Sequence, residues 1–260
     1  MTRLSARGIR HAFQGREVLA GVDFDLSGGE VVGLIGPNGA GKTTLMRVLA
    51  GLIDPGAGEV AFDGSPIADL ATEARARAIS YLAQAGAAEW AVTVETLVGL
   101  GRLPHLGPFR GPGPADRDAV DRALAACDVK MIRDRPVNRL SGGERARVML
   151  ARALAVEAPV LLADEPVAGL DPAHAIDVMA VLGARARGGA AIVVVVHDLT
   201  IAARHCDRLV LMQDGRIATD GRPGAVLSES NLAHVYGIRA LTGTTEGAPY
   251  VIPLSRANPT

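Results

Sequence analysis

The sequence predicts an α/β fold: a parallel-sheet core with an N-terminal antiparallel β subdomain and an inserted α-helical subdomain. Three observations predict it. The runs Val31–Ile35, Val160–Ala163 and Ala190–Val196 are apolar without polar alternation, the pattern of strands buried on both faces. Residues up to about Leu26 alternate in the manner of antiparallel strands. Between residues 85 and 155, apolar positions recur at helical spacing in 94–103 and 117–127, on either side of a Gly- and Pro-rich loop from Pro104 to Pro114.

The elements follow in order. Gly28-Gly29 turns the N-terminal strands into the run Val31–Ile35. A helix is predicted from Thr44 to Ala50, then a turn-rich link from Gly51 to Gly58 and a short strand at Val60–Phe62 before Asp63-Gly64. Ile79–Ala83 is a further strand, ending at Gln84. After the helical insertion, with a last helix from Glu144 to Leu154, the core resumes at Pro159–Asp164. Helices near 172–188 and 199–206 enclose the strand 190–196, and strands near 208–213 and 216–219 follow. The expected organisation is one domain over 1–240, with core 1–84 and 156–240 and helical subdomain 85–155, then a loose tail over 241–260.

Composition excludes several classes. A net charge of −1 leaves no electrostatic footprint for nucleic acid. Aromatic residues make up 3% of the chain, so the core must be aliphatic. Two isolated cysteines, Cys127 and Cys206, make neither a disulfide framework nor a zinc site and read as buried thiols. No signal peptide is expected, and no apolar run approaches the roughly 20 residues a membrane-spanning helix needs.

Gly36-Pro37-Asn38-Gly39-Ala40-Gly41-Lys42-Thr43-Thr44 fits the phosphate-loop pattern at every fixed position, between a strand and a helix. Backbone N–H groups at such a helix N-terminus converge on an anion, and glycines let the chain wrap it. Lys42 would reach the β- and γ-phosphates of ATP, and the Thr43 hydroxyl would hold Mg²⁺. The chain has only two lysines, Lys42 and Lys130, and a compact charge here suits phosphate. Leu161-Leu162-Ala163-Asp164-Glu165-Pro166 is a strand ending in two carboxylates. Asp164 stands where a nucleotide's Mg²⁺ would sit, and Glu165 where it could orient or deprotonate water. Leu140-Ser141-Gly142-Gly143-Glu144 offers a second helix N-terminus to an anion, although alone Ser141 is a plain N-cap.

In this order, the three motifs resemble those of the ATP-binding subunits of ABC transporters, over about residues 3–240. The resemblance implies a P-loop NTPase (RecA-like) core. It also implies a head-to-tail homodimer, with each ATP held between one phosphate loop and Ser141, Gly142, Gly143 and Glu144 of the other chain. Phe13 matches the aromatic that stacks on adenine, where the family usually has tyrosine. Gln84 matches the glutamine that touches Mg²⁺ or water and senses the membrane partner. Asp171, in Gly169-Leu170-Asp171, matches the loop that crosses the dimer interface. His197 matches the histidine that contacts the γ-phosphate and holds Glu165. Val167, Ala163 and Ala146 depart from the usual pattern without removing a phosphate, metal or water contact.

Leu100-Gly101-Arg102-Leu103-Pro104-His105 is similar to a segment of the subunits that power uptake of iron–siderophore complexes, haem and cobalamin. His197-Asp198-Leu199, Ala202-Ala203-Arg204, Asp207-Arg208 and Val235-Tyr236-Gly237 are similar to the same subgroup. The implied partners are two integral-membrane permease subunits, docked near Gln84 and residues 85–110, and indirectly a periplasmic binding protein. The implied location is the cytoplasmic face of the inner membrane, peripherally. The alternatives are an ABC ATPase for another solute, such as zinc or manganese, and a non-transport ABC ATPase acting on ribosome or DNA. The latter usually carry two cassettes, long coiled coils or zinc-bearing insertions, none of which this sequence shows.

Overall fold

The computed structural model describes residues 2–84, 91–107, 110–245 and 247–257. Strands β1 (Thr2–Phe13), β2 (Arg16–Ser27), β4 (Ala57–Phe62) and β5 (Ser65–Pro66) form an antiparallel sheet in the order β2-β1-β4-β5. The second sheet contains β3 (Val31–Ile35), β6 (Ile79–Leu82), β7 (Val160–Ala163), β8 (Ala191–Val195), β9 (Arg208–Gln213) and β10 (Arg216–Gly221). Its order is β10-β9-β3-β8-β7-β6, parallel except for the β9–β10 edge hairpin.

The period of two decides which core each strand residue enters. On β8, Ala191, Val193 and Val195 face the antiparallel sheet and helix α1 (Lys42–Leu49). Ile192 and Val194 face the opposite side. There they share one apolar cluster with α3 (Val94–Gly99), α4 (Pro114–Ala126), α5 (Gly142–Ala155), α6 (Pro172–Arg187) and α7 (Leu199–His205). The helices between β6 and β7 therefore share the sheet's own core. Cys127 and Cys206 are free and buried, and burial pushes both thiols up to about 12.

Three local differences from the sequence reading have physical reasons. α1 begins at Lys42 rather than Thr44, because Gly41 takes a left-handed φ of 98° and makes the N-cap. α4 begins at Pro114, whose fixed φ suits a first helical position, and Asp116 accepts a bond from the Gly113 amide. α2 (Thr72–Ala78), α8 (Pro223–Val226) and α9 (Glu229–Asn231) are additional short helices.

The expected loose tail is a correction. Beyond a π-turn over Leu232–Tyr236, strands β11 (Ile238–Thr245) and β12 (Ala248–Arg256) pair as an antiparallel hairpin. Ala240 and Val251 on its inner face are buried in the main core. The alternation that makes it a hairpin is broken by Gly243, Pro249 and Pro253, which hides it from a periodicity search. Residues 246 and 258–260 lie outside the described residues. So do 85–90 and 108–109, part of the segment expected to receive a permease.

Candidate active site

The parallel strands bring Gly36, Gln84, Asp164 and His197 to one sheet edge, at or just beyond the C-terminal ends of β3, β6, β7 and β8. This is where an open parallel sheet binds ligands. The loop Gly36–Gly41 leaves β3 and turns into α1. Gly36 has a φ of 144°, and a Cβ there would sit 2.3 Å from the Met212 carbonyl oxygen. A Cβ on Gly41 would lie 2.8 Å from the Val18 carbonyl oxygen. Both positions therefore require glycine twice over, for conformation and for space.

Lys42 is buried, and its Nζ donates to the Gly36 carbonyl at 2.7 Å and the Pro37 carbonyl at 3.0 Å. Burial lowers its pKa, while Glu165 and Asp164 act in the opposite direction. A buried ammonium facing neutral carbonyls gains from an anion brought into the loop. Thr43 Oγ1 donates to Asp164 Oδ1 at 3.4 Å, and the Tyr81 hydroxyl donates to Asp164 Oδ2 at 3.1 Å. Asp164 is 1% exposed. Burial raises its pKa, opposed by the hydrogen bonds from Thr43 and Tyr81.

Glu165 has a φ of 53°, an uncommon conformation for a residue with a side chain. That turn sets its carboxylate between two partners. Oε1 meets His197 Nε2 at 2.7 Å, and Oε2 accepts from Gln84 Nε2 at 2.8 Å. Gln84, Glu165 and His197, far apart in sequence, thus form one hydrogen-bonded line beside the Lys42–Thr43–Asp164 group.

Ser141, Gly142, Gly143, Glu144 and Asp171 are bonded among their own neighbours instead. Ser141 caps α5: its Oγ accepts from the Glu144 amide at 3.2 Å, and Glu144 Oε2 accepts from the Ser141 amide at 2.8 Å. Arg135 Nη1 holds the other Glu144 oxygen at 2.8 Å. The Ser141 amide, with Arg135 beside it, keeps the Glu144 carboxyl below its usual range. Asp171 caps α6, accepting from the His174 amide at 3.1 Å with its second oxygen 2.5 Å from His174 Nδ1. A Cβ on Gly143 would lie 3.8 Å from both His174 Nδ1 and Leu170 Cδ2, so the two helix starts are neighbours. Phe13 stands at the tip of the β1–β2 hairpin, 65% exposed, and so is not a core residue.

Sequence reasoning assigned no role to Tyr81, Arg135, His174 or Tyr236. Tyr81 bonds to Asp164. Burial pushes the Tyr236 phenol up to about 12, with the Gly36 amide acting in the opposite direction. The one available signal was Tyr81's place three residues before Gln84 on a strand beside β7. The Gly101–His105 segment proves structural. Arg102 is buried and bonds Asp116 at 3.0 Å, the Ala155 carbonyl at 2.8 Å and Glu157 at 3.2 Å. A Cβ on Gly101 would meet the Arg152 carbonyl at 2.3 Å, so glycine is needed for this close approach to α5.

A family model described as ABC transporter matches residues 19–168, more than half of the chain. This chain belongs to the ABC transporter family. Within that family it is an ATP-binding subunit and an ATPase. It is similar to the hemin import ATP-binding protein HmuV of Nocardia farcinica, 44% identical over 92% of this chain and 83% of that one. HmuV of Streptomyces coelicolor is 42% identical over 96% of this chain and 89% of its own. The cobalamin import ATP-binding protein BtuD of Halobacterium salinarum is 41% identical over 96% of this chain and 63% of its own. Among solved structures, the ATP-binding cassette of an ABC transporter in its ADP conformation superposes with a TM-score of 0.81 at 26% identity, covering 91% of this chain and 98% of that one. A chain from a transporter described as of the metal-chelate type gives 0.84 over 98% of both chains, at 23% identity, and so speaks for the ABC ATPase fold alone.

Proposed function

We propose that this ABC ATPase energises import of a metal chelate through a membrane permease, with hemin the first substrate to test. The observation that carries the chemistry is Glu165, whose two carboxylate oxygens are held by Gln84 and His197 beside a buried Lys42. The likeness to hemin and cobalamin import proteins over nearly the whole chain supports the substrate class.

In this reading the loop amides and Lys42 take the phosphates of ATP. Thr43 and Asp164 offer hard oxygens 3.4 Å apart, a donor set that fits Mg²⁺, which takes few protein ligands plus phosphate and water oxygens. Thr43 and Asp164, with Gln84 nearby, would hold that ion, and it would supply neutralisation of phosphate charge. Glu165 accepts a proton from water as the water's oxygen attacks the γ-phosphorus. The bond to the bridging oxygen breaks, and ADP leaves with its electron pair. His197 keeps Glu165 aimed and contacts the γ-phosphate. Phe13 stacks on adenine.

Ser141, Gly142, Gly143, Glu144 and Asp171 complete the site in trans, on a second copy of the chain. Their local caps preorganise two neighbouring helix starts. The permease docks on α3 and α4, where Leu100, Leu103, Leu106, Pro112 and Val120 line a groove of about 370 Å³. Arg102 ties that groove to the C-terminal end of α5, whose N-terminus is Ser141. No helix among the described residues is long and apolar enough to cross a membrane, so binding at the inner face of the cell membrane depends on such a partner.

The test is to trap tagged Glu165→Gln protein with Mg-ATP in its own host and identify what co-purifies from solubilised membranes. A stoichiometric multi-span permease of the metal-chelate class is expected. Recovery of ribosomal or DNA-associated proteins alone overturns the transport reading and leaves the ATPase chemistry standing.

A further inference from the structure

The hairpin β11–β12 is bonded to the helix that follows His197. Thr200 Oγ1 donates to the Val251 carbonyl at 2.9 Å and accepts from the Val251 amide at 3.1 Å. One hydroxyl thereby satisfies both main-chain groups of a buried strand residue. Arg204 Nε, a turn later on α7, donates to the Pro249 carbonyl at 2.8 Å. The hairpin thus grips α7 twice along its length.

Few main-chain hydrogen bonds fix the backbone around His197 between the buried Val196 and Leu199. On its N-terminal side the last pairing of the strand, Val196 N to the Leu34 carbonyl, is long at 3.4 Å. On its C-terminal side Asp198 caps α7, accepting from the amides of Thr200 and Ile201 at 2.8 and 2.9 Å. Seven residues are too few for a helix to hold itself. The position of α7's first turn is therefore set by the packing of Leu199, Ala202 and Ala203 in the core together with the hairpin that grips the helix, and His197 moves with that turn. Its ring Nε2 meets Glu165 Oε1 at 2.7 Å, a contact that a shift of 1 Å would break.

We infer that Thr200 is a positioning residue for ATP hydrolysis: through it the C-terminal hairpin sets the turn bearing His197, and through His197 the direction of Glu165. The inference rests on the role proposed above for His197. It gives residues 238–256 a part in turnover that no motif in them announces.

The test measures ATPase kinetics of the full chain carrying Thr200→Val, Thr200→Ser, His197→Ala and the double variant Thr200→Val/His197→Ala. Thr200→Val is expected to lower kcat about ten-fold with the KM for ATP within about two-fold, in the range that small misplacements of catalytic groups cost. Thr200→Ser, which keeps the hydroxyl, restores the rate. In the His197→Ala background Thr200→Val has little further effect, because the two act through one contact. An equal ten-fold loss in both backgrounds, or an unchanged kcat in Thr200→Val alone, overturns the inference. A wild-type rate in His197→Ala instead overturns the His197 role on which it rests. If Thr200→Val fails to fold, Arg204→Ala, which removes one exposed bond to the same hairpin, carries the same comparison.

Discussion

The two halves of the nucleotide site are built differently. The half at the strand ends is linked across the sequence: Thr43 and Tyr81 bond to Asp164, and Gln84 and His197 to Glu165, each pair 32 or more residues apart. The half at the starts of α5 and α6 is closed locally, Ser141 with Glu144 and Asp171 with His174, each three residues apart. On the reading proposed above, the first half grips the nucleotide of its own chain. The second satisfies itself through two neighbouring helix caps. Under that proposal binding and hydrolysis are separable: one chain binds, and a pair completes the site.

The largest effect should come from breaking the first half at its centre. Glu165→Gln keeps size and a hydrogen-bonding group but removes the proton acceptor. Steady-state ATPase should fall by about 10²–10⁴-fold, while nucleotide affinity, measured by fluorescent-analogue titration, stays within about two-fold. Wild-type turnover would end the assignment of Glu165 as base.

Ser141→Ala sharpens the contrast. Loss of the cap should cost about 1 kcal/mol of stability, read by denaturant unfolding. ATPase should drop by about ten-fold or more, an oxyanion-type contact being worth at least that. ATP binding to dilute single chains should not change. Weakened binding there would mean that the second half serves its own chain's nucleotide.

Tyr81→Phe removes one bond to Asp164, a contact worth about 1–2 kcal/mol for a charged acceptor. That hydroxyl helps hold the carboxylate ionised, so its loss raises the Asp164 pKa further. Half-maximal Mg²⁺ for ATPase should rise about three- to ten-fold, most strongly toward acid pH. No change would detach Tyr81 from the metal-binding group.

The smallest effect concerns stability without nucleotide. Because burial raises Asp164, the folded chain holds that proton more tightly than the unfolded chain does. Its contribution is favourable below the ordinary value of 3.8 and is lost as pH rises through the raised folded value. Above that raised value the cost is fully present. Asp164→Asn should then raise Tm by about 2–4 °C per kcal/mol relieved, while abolishing Mg²⁺-dependent turnover. A lower Tm would show that the bonds from Thr43 and Tyr81 outweigh burial.

The contiguous motifs were legible because their chemistry is local. A phosphate loop needs glycines at fixed offsets before a helix start, and a cap needs its acceptor three residues from its donor, so sequence spacing alone specifies Gly36–Thr44 and Ser141–Glu144. The parallel core was legible because strands buried on both faces need unbroken apolar runs. The sequence also predicted the order of strands and helices through β10, apart from the short β5 and α2.

Tertiary structure alone decided the rest. Tyr81 reaches Asp164 because β6 and β7 lie side by side. Arg102 is a buried tie to α5, and Phe13 an exposed hairpin tip. Residues 238–256 carry prolines and glycines that blur their period, yet form a hairpin because the core and α7 supply partners for one face. Such pairings depend on which surfaces meet in space, and residues far apart in sequence meet only after the chain has folded.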